Sequence, residues 1–368
     1  MSNCKIAMIG HKRIPGREGG IEVAVEELST RMASDGYKIT CYNRKSKNCY
    51  KNKKYKNVTI KNVRTIKTKK LDAIVYSFFA SIRAAFGNYE IIHYHGIGPS
   101  VMLIIPKILK KKIVVTVHGL NYKTPKWNGV GAKVMRAGEK IAAKYADAII
   151  VLSREQQKYI LEKYNRRTIY IPNGVDIGEK RITNTVQKWG LKNNDYFLYL
   201  SRITPGKGIE CLIETYKKIA TDKLLVIAGG AGLNKQYFND IQKLAGGDER
   251  IVFTDYVQGE QLNELYSNCF LYIFPSEAEG MPLCLLEALS MDARCLVSDI
   301  PENIEIGGKY IQTFKCNSKK DLKEKIDDII AENITFNGGS REYVLANFSW
   351  DTAYKKTIKV YNDLLEKK

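Results

Sequence analysis

Leu271-Tyr272-Ile273-Phe274-Pro275-Ser276-Glu277-Ala278-Glu279-Gly280-Met281-Pro282-Leu283-Cys284-Leu285-Leu286-Glu287 reads as a buried strand, a short polar turn and the start of a helix. The run Leu271–Phe274 is apolar without alternation, as a strand covered on both faces requires. Pro282 suits the first turn of a helix starting near Leu283, because that position needs no N–H and the ring already holds a helical φ. Strand, turn and helix in so few residues make one unit of a parallel α/β sheet.

Working outward, such units continue in both directions. Strands are predicted at Tyr196–Leu200, Lys223–Ile227, Ile251–Phe253 and Arg294–Val297, with helices at Ile209–Ala220, Glu260–Ser267 and Leu283–Met291. The first half predicts strands at Lys5–Ile9, Tyr37–Tyr42, Ile91–Tyr94, Ile113–Val117, Ala148–Leu152 and Thr168–Ile171, interleaved with helices such as Ile21–Ser34, Leu71–Phe86 and Gly131–Tyr145. Two doubly wound α/β domains of similar size follow, over residues 1–175 and 176–349. Their boundary is placed at Pro172-Asn173-Gly174-Val175-Asp176, a turn-forming cluster after a strand. With 368 residues, 44% hydrophobic and 27% charged, the chain has enough apolar surface for two cores, which excludes disordered and fibrous classes.

The apolar runs Ala73 to Ile82 and Pro99 to Pro106 end at Arg83 and Lys107, short of the roughly 20 residues a bilayer span needs. No signal-peptide pattern opens the chain, so a cytoplasmic location is expected. Eight cysteines contain no Cys-x-x-Cys pair and read as reduced thiols. The net charge of +20 asks for an anionic partner, and its distribution is uneven. Residues 1–175 hold 34 Lys+Arg and 11 Asp+Glu, a balance of +23, whereas the remainder holds 25 and 28, a balance of −3. Between Asp35 and Asp72 there is no acidic residue among thirteen Lys and Arg. A solvated face and an anion-binding face both fit that stretch. Nucleic acid is disfavoured, since no zinc finger, aromatic RNA-binding signature or long basic helix is present.

Three loops carry candidate chemistry. Ile9 to Glu22 contains Gly10, Gly16, Gly19 and Gly20 before a helix, an arrangement that offers backbone N–H groups to an anion but fits a plain tight turn equally well. It is neither a G-x-G-x-x-G nor a Walker loop. Ser201-Arg202-Ile203-Thr204-Pro205-Gly206-Lys207-Gly208 follows a strand and supplies a guanidinium fork and a mobile ammonium, two complementary ways to neutralise a diphosphate. In the opening stretch, Glu279 and Glu287 either accept hydrogen bonds from the hydroxyls of a polyol or form a charge bias at a helix start. His93 and His95 share one face of a strand, but with no third ligand in view no metal site is expected.

Together these residues resemble the family 4 retaining glycosyltransferases of the GT-B fold, across nearly the whole chain. The most specific resemblance is the Glu279–Glu287 pair ending in Glu287-Ala288-Leu289 and preceded by Phe274-Pro275-Ser276. Further matches are Ser201, Arg202, Lys207 and Gly208; Pro172 to Asp176; Ser298 to Asn303; and Thr116 to Gly119. The N-terminal glycine pattern, followed by Val25-Glu26-Glu27-Leu28, is similar to a bacterial polysaccharide subgroup that includes rhamnosyltransferases, with departures at His11-Lys12-Arg13 and Ile21.

The resemblance implies two Rossmann-like domains facing a central cleft, the first on the acceptor side and the second binding the nucleotide sugar, with a last helix over about 350–368 packing back on the first. It implies that Arg202 and Lys207 bind the donor diphosphate and that Glu287 holds the ribose. Glu279, with the N–H groups of Gly280 and Met281, would hold the donor sugar, and Leu283 would adjoin it. Gly19 and Gly20 would line the donor site from the first domain. His118 would lie beside the anomeric centre, Tyr256 and Val257 near the base, and His95, Gly96 and Ser100 on the acceptor side. Arg202, Lys207, His118 and Glu279 are the expected catalytic set.

No Asp-x-Asp occurs, so a metal-independent reaction is expected, in which Arg202, Lys207 and a helix start stabilise the departing diphosphate. No cofactor is expected beyond a nucleoside diphosphate sugar, with UDP the favoured carrier of a hexosyl or deoxyhexosyl unit. The basic first half fits a lipid-linked saccharide acceptor at an anionic inner membrane surface. Helix Leu71–Phe86, with Tyr76, Phe78, Phe79 and Phe86, either lies in that interface or is core. The competing readings are a sugar-nucleotide epimerase or a phosphorylase on a similar scaffold.

Overall fold

The computed structural model describes residues 4–17, 19–45, 50–66, 72–120, 129–176, 178, 185–230 and 234–366. Lys47, Lys67, Lys69 and Lys70 of the basic stretch, the cysteine Cys49 and the predicted helix start Leu71 lie outside the described residues. The chain forms two compact units, Met1–Gly174 with Trp350–Lys368, and Val175–Ser349.

The first unit has one sheet of β1 (Lys5–Ile9), β2 (Lys38–Arg44), β3 (Lys54–Tyr55), β4 (Val58–Val63), β5 (Ile91–His95), β6 (Lys112–Val117), β7 (Ala148–Val151) and β8 (Ile169–Tyr170). Their spatial order is β3-β4-β2-β1-β5-β6-β7-β8, parallel throughout except for the β3–β4 pair. Helices cover both faces, so Ile9, Ile92, Val115 and Val151 are buried in one core. The last helix, Trp350–Glu366, packs against helix Gly20–Ser34 and places Tyr361 in the interior. Arg31 donates to Asp351 at 3.0 Å, and the Tyr354 hydroxyl donates to Asp35.

The second unit has β9 (Tyr196–Leu200), β10 (Leu224–Ala228), β11 (Ile251–Asp255), β12 (Leu271–Phe274), β13 (Cys295–Ser298) and β14 (Ile311–Phe314), ordered β11-β10-β9-β12-β13-β14 and all parallel. In each unit the order runs outward in both directions from one pair, β1/β5 in the first and β9/β12 in the second. Helices leave that pair on opposite faces and open a crevice at the carboxyl ends of the strands.

Several elements differ from the sequence reading. Strand β4 emerges from the lysine-rich stretch because Val58, Ile60 and Val63 are its buried residues, a pattern that the surrounding lysines hide. Strand β14, with polar Gln312 and Thr313 at its centre, is an added edge strand. Helix Ile209–Tyr216 stops a turn early, because the Tyr216 hydroxyl donates to Lys223 O at 2.7 Å and draws the chain onto β10. Of the four aromatics read on the helix before β5, observed as Asp72–Ala85, Tyr76 is core, whereas Phe78, Phe79 and Phe86 are exposed.

Candidate active site

In the second unit, loop 201–208 leaves β9 and loop 275–282 leaves β12, so the switch point brings them side by side. The Glu277 N–H donates to Gly206 O at 3.1 Å. Gly208 has φ +66, and a Cβ there would lie 2.0 Å from Pro275 O, so only glycine permits this approach. The result is an ion pair between Lys207 Nζ and Glu279 Oε1, with both side chains mostly buried. Each charge compensates the other's lost hydration, and removal of one strands its partner. The ammonium also lies 5.8 Å from the centroid of the Phe274 ring. Ser276 Oγ donates to the same Glu279 oxygen at 2.6 Å.

Helix Leu283–Ser290 begins beside this pair, with Pro282 at its N-cap, no side-chain cap and no acidic residue in its first turn. Its positive end is therefore directed at the loop without an internal carboxylate to absorb it. One turn in, Glu287 accepts from the Tyr266 hydroxyl at 3.2 Å. Arg202 is exposed, Tyr256 is 52% exposed, and Val257, Gly280 and Met281 are buried. Burial pushes the Cys284 thiol up to about 12, so it packs as a neutral group and is no nucleophile. A buried ammonium, an exposed guanidinium, a helix start and two carboxylates thus lie on the loops and helix that follow β9 and β12 at the carboxyl end of the sheet, a set that can hold an anion and a hydroxylated group together.

The first unit builds a different site at the ends of β1, β5 and β6. Gly10, with φ +121, approaches β5 so closely that a Cβ would lie 2.2 Å from His95 O. All four histidines of the chain gather here. His93 and His95 stack with centroids 4.2 Å apart, and His95 Nδ1 meets His118 Nε2 at 3.0 Å. His93 bridges the Tyr361 hydroxyl at 2.6 Å and Thr116 Oγ1 at 2.7 Å. His11 Nε2 lies 3.0 Å from Asn43 Oδ1, and Asn43 is itself pinned by the Ile14 N–H and carbonyl. The acceptor oxygen of Asn43 therefore fixes the proton on His11 Nε2. Burial is the main cause that holds these rings neutral, with His11 lowered to about 4, His93 and His118 to about 3, and His95 well below its ordinary value.

Loop 11–17 is held by carboxylates to which the sequence reading gave no role. Glu22 accepts from the Lys12 N–H at 2.9 Å and Glu26 from the Gly16 N–H at 3.0 Å, while Glu27 pairs with Arg17 and Arg31. All three acids are buried on helix Gly20–Ser34. Their spacing along the first two turns was the available signal, since Glu22 and Glu26 share a helical face. Gly19 is the extended N-cap of that helix and Gly20 its first residue.

Residues 18–179 match the family described as Glycosyltransferase Family 4, and residues 182–343 match Glycosyl transferases group 1. The chain belongs to the family 4 glycosyltransferases. Similar proteins include the O-antigen biosynthesis glycosyltransferase WclY of Escherichia coli, 23% identical over 65% of this chain and 69% of that protein. A UDP-Gal:alpha-D-GlcNAc-diphosphoundecaprenol alpha-1,3-galactosyltransferase of Escherichia coli is 26% identical over 59% of each chain. Among solved structures, Anabaena Alr3699/HepE in complex with UDP-glucose superposes with a TM-score of 0.80 over 98% of this chain and 99% of that one, at 17% identity. The fold of this glycosyltransferase is GT-B.

Within the glycosyltransferase, the structure joins Lys207 to Glu279 and sets Leu283 and Glu287 on the helix that follows, while His118, His95, Gly96 and Ser100 fall in the first unit. Ser100 donates to Gly96 O at 2.9 Å, which closes the turn after β5. His95 is fully buried between its neighbours. Among the described residues, no group of three or more His, Cys, Asp or Glu is placed to hold a metal ion.

Proposed function

We propose that this glycosyltransferase moves a hexosyl or deoxyhexosyl unit from a UDP-sugar to a lipid-linked saccharide in cell-surface polysaccharide synthesis, with retention of configuration. The Lys207–Glu279 pair at the β9/β12 switch point carries the reading. Lys207, Arg202 and the start of helix Leu283–Ser290 neutralise the diphosphate as the glycosidic oxygen leaves, without a resident metal. Glu287 takes the ribose and Glu279 the donor sugar. HepE with UDP-glucose, and the UDP-Gal in the galactosyltransferase's name, support UDP as the carrier.

In the front-face step we favour, the acceptor oxygen bonds to the anomeric carbon as the bond to the β-phosphate oxygen breaks, and the acceptor proton passes to that phosphate. Burial holds His118 neutral at physiological pH, so it offers hydrogen bonds rather than a proton store. Tyr256 and Val257 adjoin the base.

Acceptor docking at the inner face of an anionic membrane is supported by one surface of the first unit. Helix Asp72–Ala85 packs against helix Ile104–Ile108, and together they expose Phe78, Phe79, Ile104 and Ile108, with Phe86 79% exposed beyond the first helix. Lys110 and Arg83 are exposed on the same two segments. Apolar side chains beside cations suit the headgroup boundary. Among the described residues no helix is long and apolar enough to cross a membrane.

Acceptor-dependent release of free nucleoside diphosphate from UDP-, GDP- and dTDP-sugars tests the reaction. Release from UDP-sugars is expected; release from none of them rejects it. Flotation with anionic vesicles but not neutral ones supports membrane docking, and flotation with neither removes it.

A further inference from the structure

The stretch Ser298-Asp299-Ile300-Pro301-Glu302-Asn303 matches the family pattern, yet it supplies no group to the proposed donor site. Its side chains lead there through hydrogen bonds. Asn303, fully buried on helix Pro301–Gly307, donates through Nδ2 to Ser298 O at 3.0 Å and to Ser298 Oγ at 3.1 Å. Ser298 Oγ spends its one proton on Ser276 O at 2.5 Å. Ser276 Oγ in turn donates to Glu279 Oε1 at 2.6 Å, the oxygen that pairs with Lys207.

We infer that Asn303 is a positioning residue for Glu279, acting through Ser298 and Ser276. Asn303 Nδ2 can only donate, Ser298 Oγ directs its single proton to the Ser276 carbonyl, and Ser276 Oγ directs its proton to the Glu279 carboxylate, with Ala278 O a distant second acceptor at 3.5 Å, so the direction is fixed. A reversed Asn303 amide would set its oxygen against Ser298 O, two acceptors with no proton between them. In the observed orientation Asn303 Oδ1 is buried without a partner among the described residues, a cost tolerated for the sake of the Nδ2 bonds. Ser276 and Ser298 are fully buried, so no solvent competes for the links. The Pro275-Ser276 turn is thereby tied to the end of β13, and the Glu279 carboxylate is held in one orientation beside Lys207. This inference rests on the reading that Glu279 holds the donor sugar.

Asn303→Ala and Ser276→Ala, each alone and combined with Glu279→Ala, test it in the full-length protein. Turnover and UDP affinity by calorimetry are the readouts, with thermal midpoints alongside. Each single variant is expected to lower kcat about 10- to 100-fold, as a loosened catalytic group does. UDP affinity stays within about twofold, because Lys207 and Glu287 remain, and in the Glu279→Ala background either change adds less than about twofold. Independent multiplication of the effects, or a loss of UDP affinity equal to the loss in kcat, overturns the relay. Glu279→Ala with full turnover defeats the sugar-site reading itself, and the relay with it. Should Asn303→Ala fail to fold, Ser276→Ala removes only the last hydroxyl and carries the same comparison.

Discussion

Mild acid should unfold the first unit from the histidine cluster outward. His11, His93, His95 and His118 all sit at the ends of β1, β5 and β6, and burial keeps every ring neutral in the fold. An unfolded chain protonates them near 6.5, so the unfolded state binds more protons below that pH and stability falls as the pH drops. The loss begins at about 6.5 and continues toward the folded values near 3 to 4. At pH 5.5 each ring contributes about 1.4 kcal/mol to that loss, and the four together about 5 kcal/mol, the size of a whole domain's stability. Hydrogen exchange at β5 and urea unfolding between pH 7.5 and 5.5 read the effect directly. Glu27 does not obscure the window, because Arg17 and Arg31 outweigh its burial and keep its carboxyl below its ordinary range. A His93→Gln variant, whatever its cost at pH 7.5, should lose about a quarter of the slope. A midpoint unchanged from 7.5 to 5.5 would refute the claim that these rings are held neutral.

Other expectations follow from single contacts. Gly10→Ala and Gly208→Ala each place a methyl about 2 Å from a carbonyl oxygen at positive φ, and each should cost about 2 kcal/mol or more in urea unfolding; a loss below about 0.5 kcal/mol contradicts the close approaches. Glu26→Gln weakens the carboxylate that holds the Gly16 N–H and the Tyr55 hydroxyl. Its signature should be faster amide exchange at Gly16 with the global thermal midpoint little changed, and unchanged exchange there would remove Glu26 from the role of loop anchor.

The strand-loop-helix units that face each switch point were legible because parallel strands buried on both faces read as continuous apolar runs, as at β9 and β12. Glu279, Glu287, Arg202 and Lys207 stood out by spacing. What sequence reading missed was hidden by composition or distance. Strand β4 carries its apolar residues among lysines. Asn43 reaches His11 across 32 residues, and Asn303 reaches Ser298 around a helix start, so neither shows a local pattern. Of the three glutamates of helix Gly20–Ser34, Glu26 and Glu27 entered only as part of a family pattern; their burial against loop 11–17 exists only in the fold. His93 and His95 shared a strand face in the sequence, but only the register Ile9↔Tyr94 and His95↔Thr116 brings His11 and His118 to them.

The central claim is that the β9/β12 switch point is the donor site of a glycosyltransferase. It is tested most directly by acceptor-dependent UDP release from a UDP-sugar in the wild type, Lys207→Ala and Glu287→Ala proteins, each checked for an intact thermal transition. Lys207→Ala is expected to lose about 100-fold or more in kcat/KM, as other preorganised charge stabilisers do, and Glu287→Ala to bind UDP more weakly. Wild-type rates in both variants would contradict it.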